Sequence, residues 1–132
     1  MHQVAIVGSG VVGQRITRRL PTVVDAVTVV DHDPRTGRLL PADVSVVVLA
    51  HAGPHADLAR QFVERGVSVV SVCDDVADIR SMLDLDDVAR DAGVALVVGA
   101  GMSPGLTGLL ARWSASQLAT CDEIHVAIHG TA

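Results

Sequence analysis

Lysine and tyrosine are both absent from this chain, and each absence removes a class of chemistry. All ten basic residues are arginine, so the lysine that reaches the phosphates in a P-loop is missing and nucleoside triphosphate hydrolysis by that route is excluded. A dehydrogenase that relies on a Tyr and Lys pair for proton transfer cannot be completed from these residues either. Cysteine is scarce: Cys73 and Cys121 lack metal-ligand spacing and are expected to be free thiols in a reducing compartment. No apolar run approaches the ~20 residues of a membrane span. No charged leader with a cleavage site precedes the first apolar run, so the expectation is a cytoplasmic protein without a membrane partner. The formal net charge is −5 and the cations are scattered, which argues against nucleic acid as a partner, because a surface that tracks phosphates needs clustered positive charge. Arg15, Arg18 and Arg19 read as the solvated face of a helix.

What is present is valine and glycine in a telling order. The 132 residues, 49% hydrophobic, suit one soluble domain with a proper core. Short valine-rich runs alternate with amphipathic stretches, the pattern of a parallel sheet covered on both faces by helices. Strands are predicted near residues 3–7, 26–31, 44–50, 67–72 and 94–98, and helices near 11–20, 55–65, 76–92 and 105–118. Pro21 should end the first helix, Gly66 should cap the second, and the third should be interrupted around Asp84. Between Asp33 and Asp43, with Pro34, Gly37 and Pro41, there is too little regular sequence for a full helix and strand, so one crossover is expected to be trimmed. The strand at 44–50 then passes to the other side of the first strand and creates the switch point at which nucleotides bind. In Asp122-Glu123-Ile124-His125-Val126-Ala127-Ile128-His129 apolar and polar residues alternate, which predicts a one-sided strand at a sheet edge or in a second sheet.

The chemistry begins with Gly8-Ser9-Gly10-Val11-Val12-Gly13, directly after the apolar run Val4-Ala5-Ile6-Val7 and at the start of a helical pattern. In that context the first glycine serves a tight turn, the second lets a pyrophosphate approach bare backbone, and the third lets the helix pack closely on the sheet. Asp31 ends the run Val27-Thr28-Val29-Val30 at about the distance expected of an acid that holds the adenosine ribose hydroxyls. Such a carboxylate repels a 2′-phosphate and favours NAD, while nearby Arg35 leaves NADP open. The plainer alternative is a glycine turn in an α/β protein that binds no nucleotide. After the third strand, Ala50, His51, Ala52, Gly53 and Pro54 form a loop expected to meet the ribose on the nicotinamide side. His51 and His55 are not read as metal ligands, because Gly53 and Pro54 should place His51 outside the helix. Pro54 suits the first helical turn, with His55 close behind. Asp74 and Asp75 read as helix caps before catalytic acids, and Cys73 as a small buried thiol before a nucleophile.

The stretch Gly99-Ala100-Gly101-Met102-Ser103-Pro104-Gly105-Leu106-Thr107-Gly108-Leu109-Leu110-Ala111, taken with VGSGVVGQ and HADLARQFVERGVSVVSVCDD, resembles the saccharopine dehydrogenase family in its amino-terminal NAD(P)-binding domain. The resemblance spans almost the whole chain. It implies an α/β, Rossmann-type doubly wound parallel sheet with one trimmed crossover and a final strand leading to a missing second domain. Residues 1–120 would be the dinucleotide-binding domain and 121–132 the start of the absent substrate and dimerisation domain. The implied activity is that of an NAD- or NADP-dependent oxidoreductase, moving hydride between nicotinamide and a carbon–nitrogen bond of an amino acid or amine. Gly8, Gly10 and Gly13, with Ser9, Val11 and Val12 in the same turn, would hold the pyrophosphate and Asp31 the adenosine ribose. Residues 50–54 would meet the central ribose, and Met102, Ser103, Pro104 and Gly105 would line the nicotinamide end. Family members often carry an aspartate where the fourth strand ends; Ser71 or Cys73 stands there in this chain. Without the second domain the chain is expected to bind cofactor and turn over little or nothing, its catalytic residues unassigned. A regulatory NAD-sensing Rossmann domain of the potassium-transport type is the rival reading, and it leaves the segment 99–110 unexplained. A purely structural domain must treat Gly8, Gly10, Gly13 and Asp31 as coincidence. An orphaned interface and a one-sided last strand leave self-association open.

Overall fold

Five of the valine-rich segments pair side by side in the structure, a computed structural model that describes residues 3–20, 23–30 and 40–127. They are Gln3–Val7 (β1), Ala26–Val30 (β2), Val44–Leu49 (β3), Ser68–Ser71 (β4) and Leu96–Val97 (β5). All run parallel in the order β2-β1-β3-β4-β5. β1 therefore has β2 on one side and β3 on the other: Val4 stands opposite Val27 in one neighbour and Val46 in the next. The chain leaves β2 and re-enters beyond β1, which is the reversal predicted for the strand at 44–50.

Strand geometry sends alternate side chains to opposite faces, and valine's branched Cβ suits that pleated surface. From β1, β3 and β4, the side chains of Ala5, Val7, Val47, Leu49 and Val69 enter one core. Helix α2 (Ala56–Glu64) supplies Leu58, Ala59, Phe62 and Val63 to the same core, α3 (Val76–Leu83) supplies Met82, and α4 (Asp86–Ala92) supplies Ala89. Val4, Ile6 and Val48 point the other way, where Ile16 and Leu20, at the end of α1 (Val11–Arg19), pack on them. Coverage on both faces is why β1 reads as an unbroken apolar run. The predicted break at Asp84 separates α3 from α4. The stripe Asp78, Met82, Leu85, Ala89 nevertheless continues across the break on one buried face. Gly66 lies just past the end of α2 and donates its N–H to the Val63 carbonyl at 2.9 Å.

The last helix, α5 (Leu106–Ala115), differs from the others. None of its residues is buried, and Leu109, Leu110 and Trp113 are exposed. The alternating segment after it does not form the predicted strand within the described residues: 121–127 pair with no other strand. Ile124, Val126 and Ala127 lie along α5 instead, around an open cavity of about 330 Å³ shared with Thr107, Leu110, Ala111 and Ser114. Alternation is sufficient for a strand only where a neighbouring strand offers N–H and C=O groups, and a helix surface offers none. Pro21, Asp31, Arg35, most of the expected trimmed crossover, Ile128 and His129 lie outside the described residues. Among the described residues no helix is long and apolar enough to cross a membrane.

Candidate functional site

Parallel pairing brings the ends of β1, β3, β4 and β5 to one edge, and the loops that carry the predicted residues leave from it. Gly8 follows β1 with φ +114°, in the region that L side chains rarely adopt. Its N–H donates to the Val30 carbonyl at 2.9 Å, and Ala50 N–H donates to the Val7 carbonyl at 2.8 Å, so the turn sits hard against the loop after β3. A Cβ at Gly8 would stand 2.6 Å from the His51 nitrogen and 2.7 Å from the Ala50 carbonyl carbon. At Gly13 a Cβ would stand 3.0 Å from the Gly8 carbonyl carbon and nearer still to its oxygen. Both glycines are thus required by the protein's own packing.

Gly10 is different. Its backbone is extended (φ −70°, ψ −173°), a conformation open to any residue, and a Cβ there would meet nothing within 4 Å among the described residues. Neither its conformation nor packing among the described residues asks for glycine at this position. Gly10 is also the N-cap of α1 and brings no capping side chain, and the first turn of that helix contains no acid. Each of the other described helices of two turns or more has at least one of its first N–H groups occupied. Asp78 accepts from His55 and Ala56 at the start of α2 (2.7 and 3.0 Å), and Asp75 accepts from Asp78 at the start of α3 (2.8 Å). At the start of α5 the Gly101 and Met102 carbonyls accept from Leu106 and Thr107, each at 3.0 Å. Gln14 steadies the turn from behind, donating its side-chain amide to the Ser9 carbonyl at 2.9 Å.

Val12 and Ile16 of α1 form one wall of an open cleft of about 340 Å³. Its other walls are Val72 after β4, with Ala100, Gly101, Met102 and Leu106. The structure thus brings Met102 to the glycine turn's helix. Ser103 and Pro104 are exposed and outside the cleft lining, and Pro104 leans over Gly99. Ala52, Gly53 and Pro54 are exposed in the loop after β3. Pro54 stands two residues before Ala56, so it belongs to this loop and not to the first helical turn, which begins after the N-cap His55. A larger cavity of about 600 Å³ runs between α4 and the open edge of β5, and no residue of the glycine turn lines it.

Beneath the loop lies a polar cluster that sequence reasoning did not assemble. His55, Ser71 and Asp78 are all buried. A carbonyl can only accept, so the 3.0 Å contact between His55 Nε2 and the His51 carbonyl places the ring proton on Nε2. Nδ1 then accepts from the Ser71 hydroxyl at 2.8 Å, and Ser71 Oγ accepts from Cys73 N–H at 3.2 Å. The His51 and His55 rings stand 4.2 Å apart between centroids, with His51 outside the helix as predicted. Burial alone would raise the Asp78 carboxyl, but the His55 and Ala56 N–H donors and the Cys73 thiol outweigh it, and the net shift is downward. Burial pushes the Cys73 thiol up; the Asp75 N–H opposes this, and the Asp78 carboxylate adds to it. That environment makes Cys73 a poor nucleophile. Of the two predicted caps, Asp75 is one and Asp74 is exposed.

No protein-family model and no curated protein matches this chain. Solved structures do. An engineered D-amino acid dehydrogenase bound to NADP+ aligns with a TM-score of 0.68 at 24% identity, over 89% of this chain and 42% of that one. GenD2 from gentamicin A biosynthesis, in complex with NAD, aligns with a TM-score of 0.64 at 22% identity, over 87% and 39%. Homoserine dehydrogenase of S. aureus aligns with a TM-score of 0.57 at 17% identity, over 73% and 32%. This chain therefore spans less than half the length of each of these three proteins. At such identities the likeness is one of fold, and with five parallel strands in this order and helices on both faces the chain has the Rossmann-type, doubly wound α/β fold.

Proposed function

We propose that this chain binds a nicotinamide dinucleotide as the cofactor-holding part of an oxidoreductase. The observation that carries this reading is Gly10: neither its backbone conformation nor packing among the described residues requires a glycine there, whereas a pyrophosphate approaching bare backbone does. The first turn of α1, with Val11 and Val12 exposed, its first N–H groups without a partner among the described residues and its partial positive charge, supports an anion at the same place. Two of the structural neighbours carry NAD or NADP+, which supports the cofactor class. A bound nicotinamide gives or takes a hydride; this chain's own part is to bind and place the cofactor. Gly8, Ser9, Gly10, Val11, Val12 and Gly13 would receive the phosphates. Residues 50–54 would meet the central ribose, and Met102 with the apolar cleft would border the nicotinamide end, with Ser103 and Pro104 in the same turn.

The finer reading is oxidation or reduction at a carbon–nitrogen bond of an amino acid or amine, after the saccharopine dehydrogenase resemblance. Its support is the segment 99–110, whose tight turn forms one wall of the cleft. Because the cleft is lined by apolar residues, proton transfer falls to groups outside it, in keeping with a chain that binds cofactor without completing turnover. Asp31 supports NAD over NADP. Calorimetric titration of the 132-residue chain with NAD+ and NADP+ tests the reading. One saturable site per chain, tighter for NAD+, is expected. Tighter NADP+ overturns the Asp31 argument, and no binding of either below about 1 mM overturns the proposal.

A further inference from the structure

We infer that His55, held by Ser71, is a positioning residue that fixes the backbone after β3 against the glycine turn and so sets the floor on which the middle of the dinucleotide rests. This deepens the dinucleotide reading and rests on it. With a neutral imidazole the cluster is satisfied in one direction only: Cys73 N–H to Ser71 Oγ, Ser71 O–H to His55 Nδ1, and His55 Nε2–H to the His51 carbonyl. Asp78 anchors the same residue from the other side, taking the backbone N–H of His55 at 2.7 Å. Ring and main chain of His55 are therefore both fixed, and the ring supports His51 from below.

His51 is in turn the residue against which Gly8 is pressed. The space a Cβ would need at Gly8 is occupied by the His51 nitrogen and the Ala50 carbonyl. The buried imidazole thus determines how far the 50–54 backbone stands from the glycine turn, through the two peptides that flank the His51 Cα. Register makes this possible: Leu49 pairs with Ser71, so the loop after β3 and the hydroxyl at the end of β4 face each other across one ring. A core that wanted only volume at position 55 would take leucine. The polar cluster, by contrast, ends its run of hydrogen bonds on a loop carbonyl.

The test compares His55→Gln, His55→Asn and Ser71→Ala with the parent chain. Glutamine can set an amide N–H where Nε2–H stands, whereas asparagine reaches only the Nδ1 position. Two quantities are read: amide hydrogen exchange of residues 50–53 in the nucleotide-free protein, and the Kd for NAD+. In His55→Asn the loop amides, including the Ala50 N–H that bonds Val7, should exchange roughly tenfold faster and Kd should rise roughly tenfold, the loss of about one buried hydrogen bond. His55→Gln should restore both to within about threefold, and Ser71→Ala should fall between. Unchanged loop exchange in a folded His55→Asn overturns the clamp. Faster exchange with unchanged Kd overturns its role in cofactor placement. Should His55→Asn fail to fold, the Ser71→Ala and His55→Gln pair decides on the same two readings. A parent chain that binds neither NAD+ nor NADP+ defeats the dinucleotide reading and with it the cofactor role, while the exchange rates still judge the clamp separately.

Discussion

Substituting alanine at Gly10 and at Gly13 should give opposite results, because the two glycines have different reasons to be there. At Gly13 the added Cβ would run into the Gly8 carbonyl, which is main chain and belongs to a residue whose N–H is bonded to the Val30 carbonyl. Restoring ordinary contact requires that carbonyl to retreat by roughly 1 to 1.5 Å, and overpacking of that kind costs about 3 kcal/mol. For a domain of this size that is a fall in Tm of about 10 °C. At Gly10 the new methyl meets no described residue within 4 Å. The gain from a less flexible unfolded chain, about 0.4 to 1 kcal/mol, is offset by alanine's poorer N-cap character, so stability should move by no more than about 0.5 kcal/mol. Binding is where Gly10→Ala should fail. The methyl stands where a phosphate would meet the first N–H groups of α1, and losing even one charge-assisted hydrogen bond, at about 1.5 to 3 kcal/mol, weakens affinity roughly tenfold to a hundredfold. Circular dichroism melts and calorimetric titration with NAD+ read the two effects on the same samples. A Gly10→Ala protein that binds like the parent would refute the claim that this glycine serves a ligand, and a Gly13→Ala protein with unchanged Tm would refute the packing argument.

Two further outcomes follow from the cluster beneath the loop. The Asp78 carboxyl is lowered in the folded state, so its contribution to stability is present above the ordinary aspartate range and disappears as pH falls through the folded value. Asp78→Asn should therefore be less stable than the parent at neutral pH and lose less on acidification below about pH 4, as followed by urea unfolding at several pH values; parallel curves would contradict the assignment. Cys73 is buried with a raised thiol and Cys121 is exposed, so a disulfide reagent at mild alkaline pH should label Cys121 quickly and Cys73 only on unfolding; rapid labelling of both would contradict the burial of Cys73.

The sheet could be read from the chain because its central strands β1 and β3 are largely buried on both faces, which leaves a contiguous apolar run as their signature, and because Gly8, Gly10 and Gly13 stand between a strand and a helix. Asp78 could not be read so directly. Its clue was present, since it occupies the first position of the stripe that runs on through Met82, Leu85 and Ala89, but a charged residue in that place breaks an apolar pattern. Reading it correctly requires knowing that the first turn of α2 stands next to it. The meeting of His55 with Ser71 likewise depends on β3 and β4 being neighbours in a particular register, which is a tertiary fact. The final alternating segment misled for the reverse reason: its local pattern is that of a strand, and what it lies against is α5.

With no tyrosine and a single tryptophan, the chain carries one strong fluorophore, Trp113, and it stands 64% exposed on α5, away from the core around Phe62. Intrinsic fluorescence therefore reports on the surroundings of that one helix. The main core could come apart with little change in emission, whereas any body that covers α5 would alter it at once, so for this protein fluorescence is a gauge of surface contact and the fold must be followed by other means.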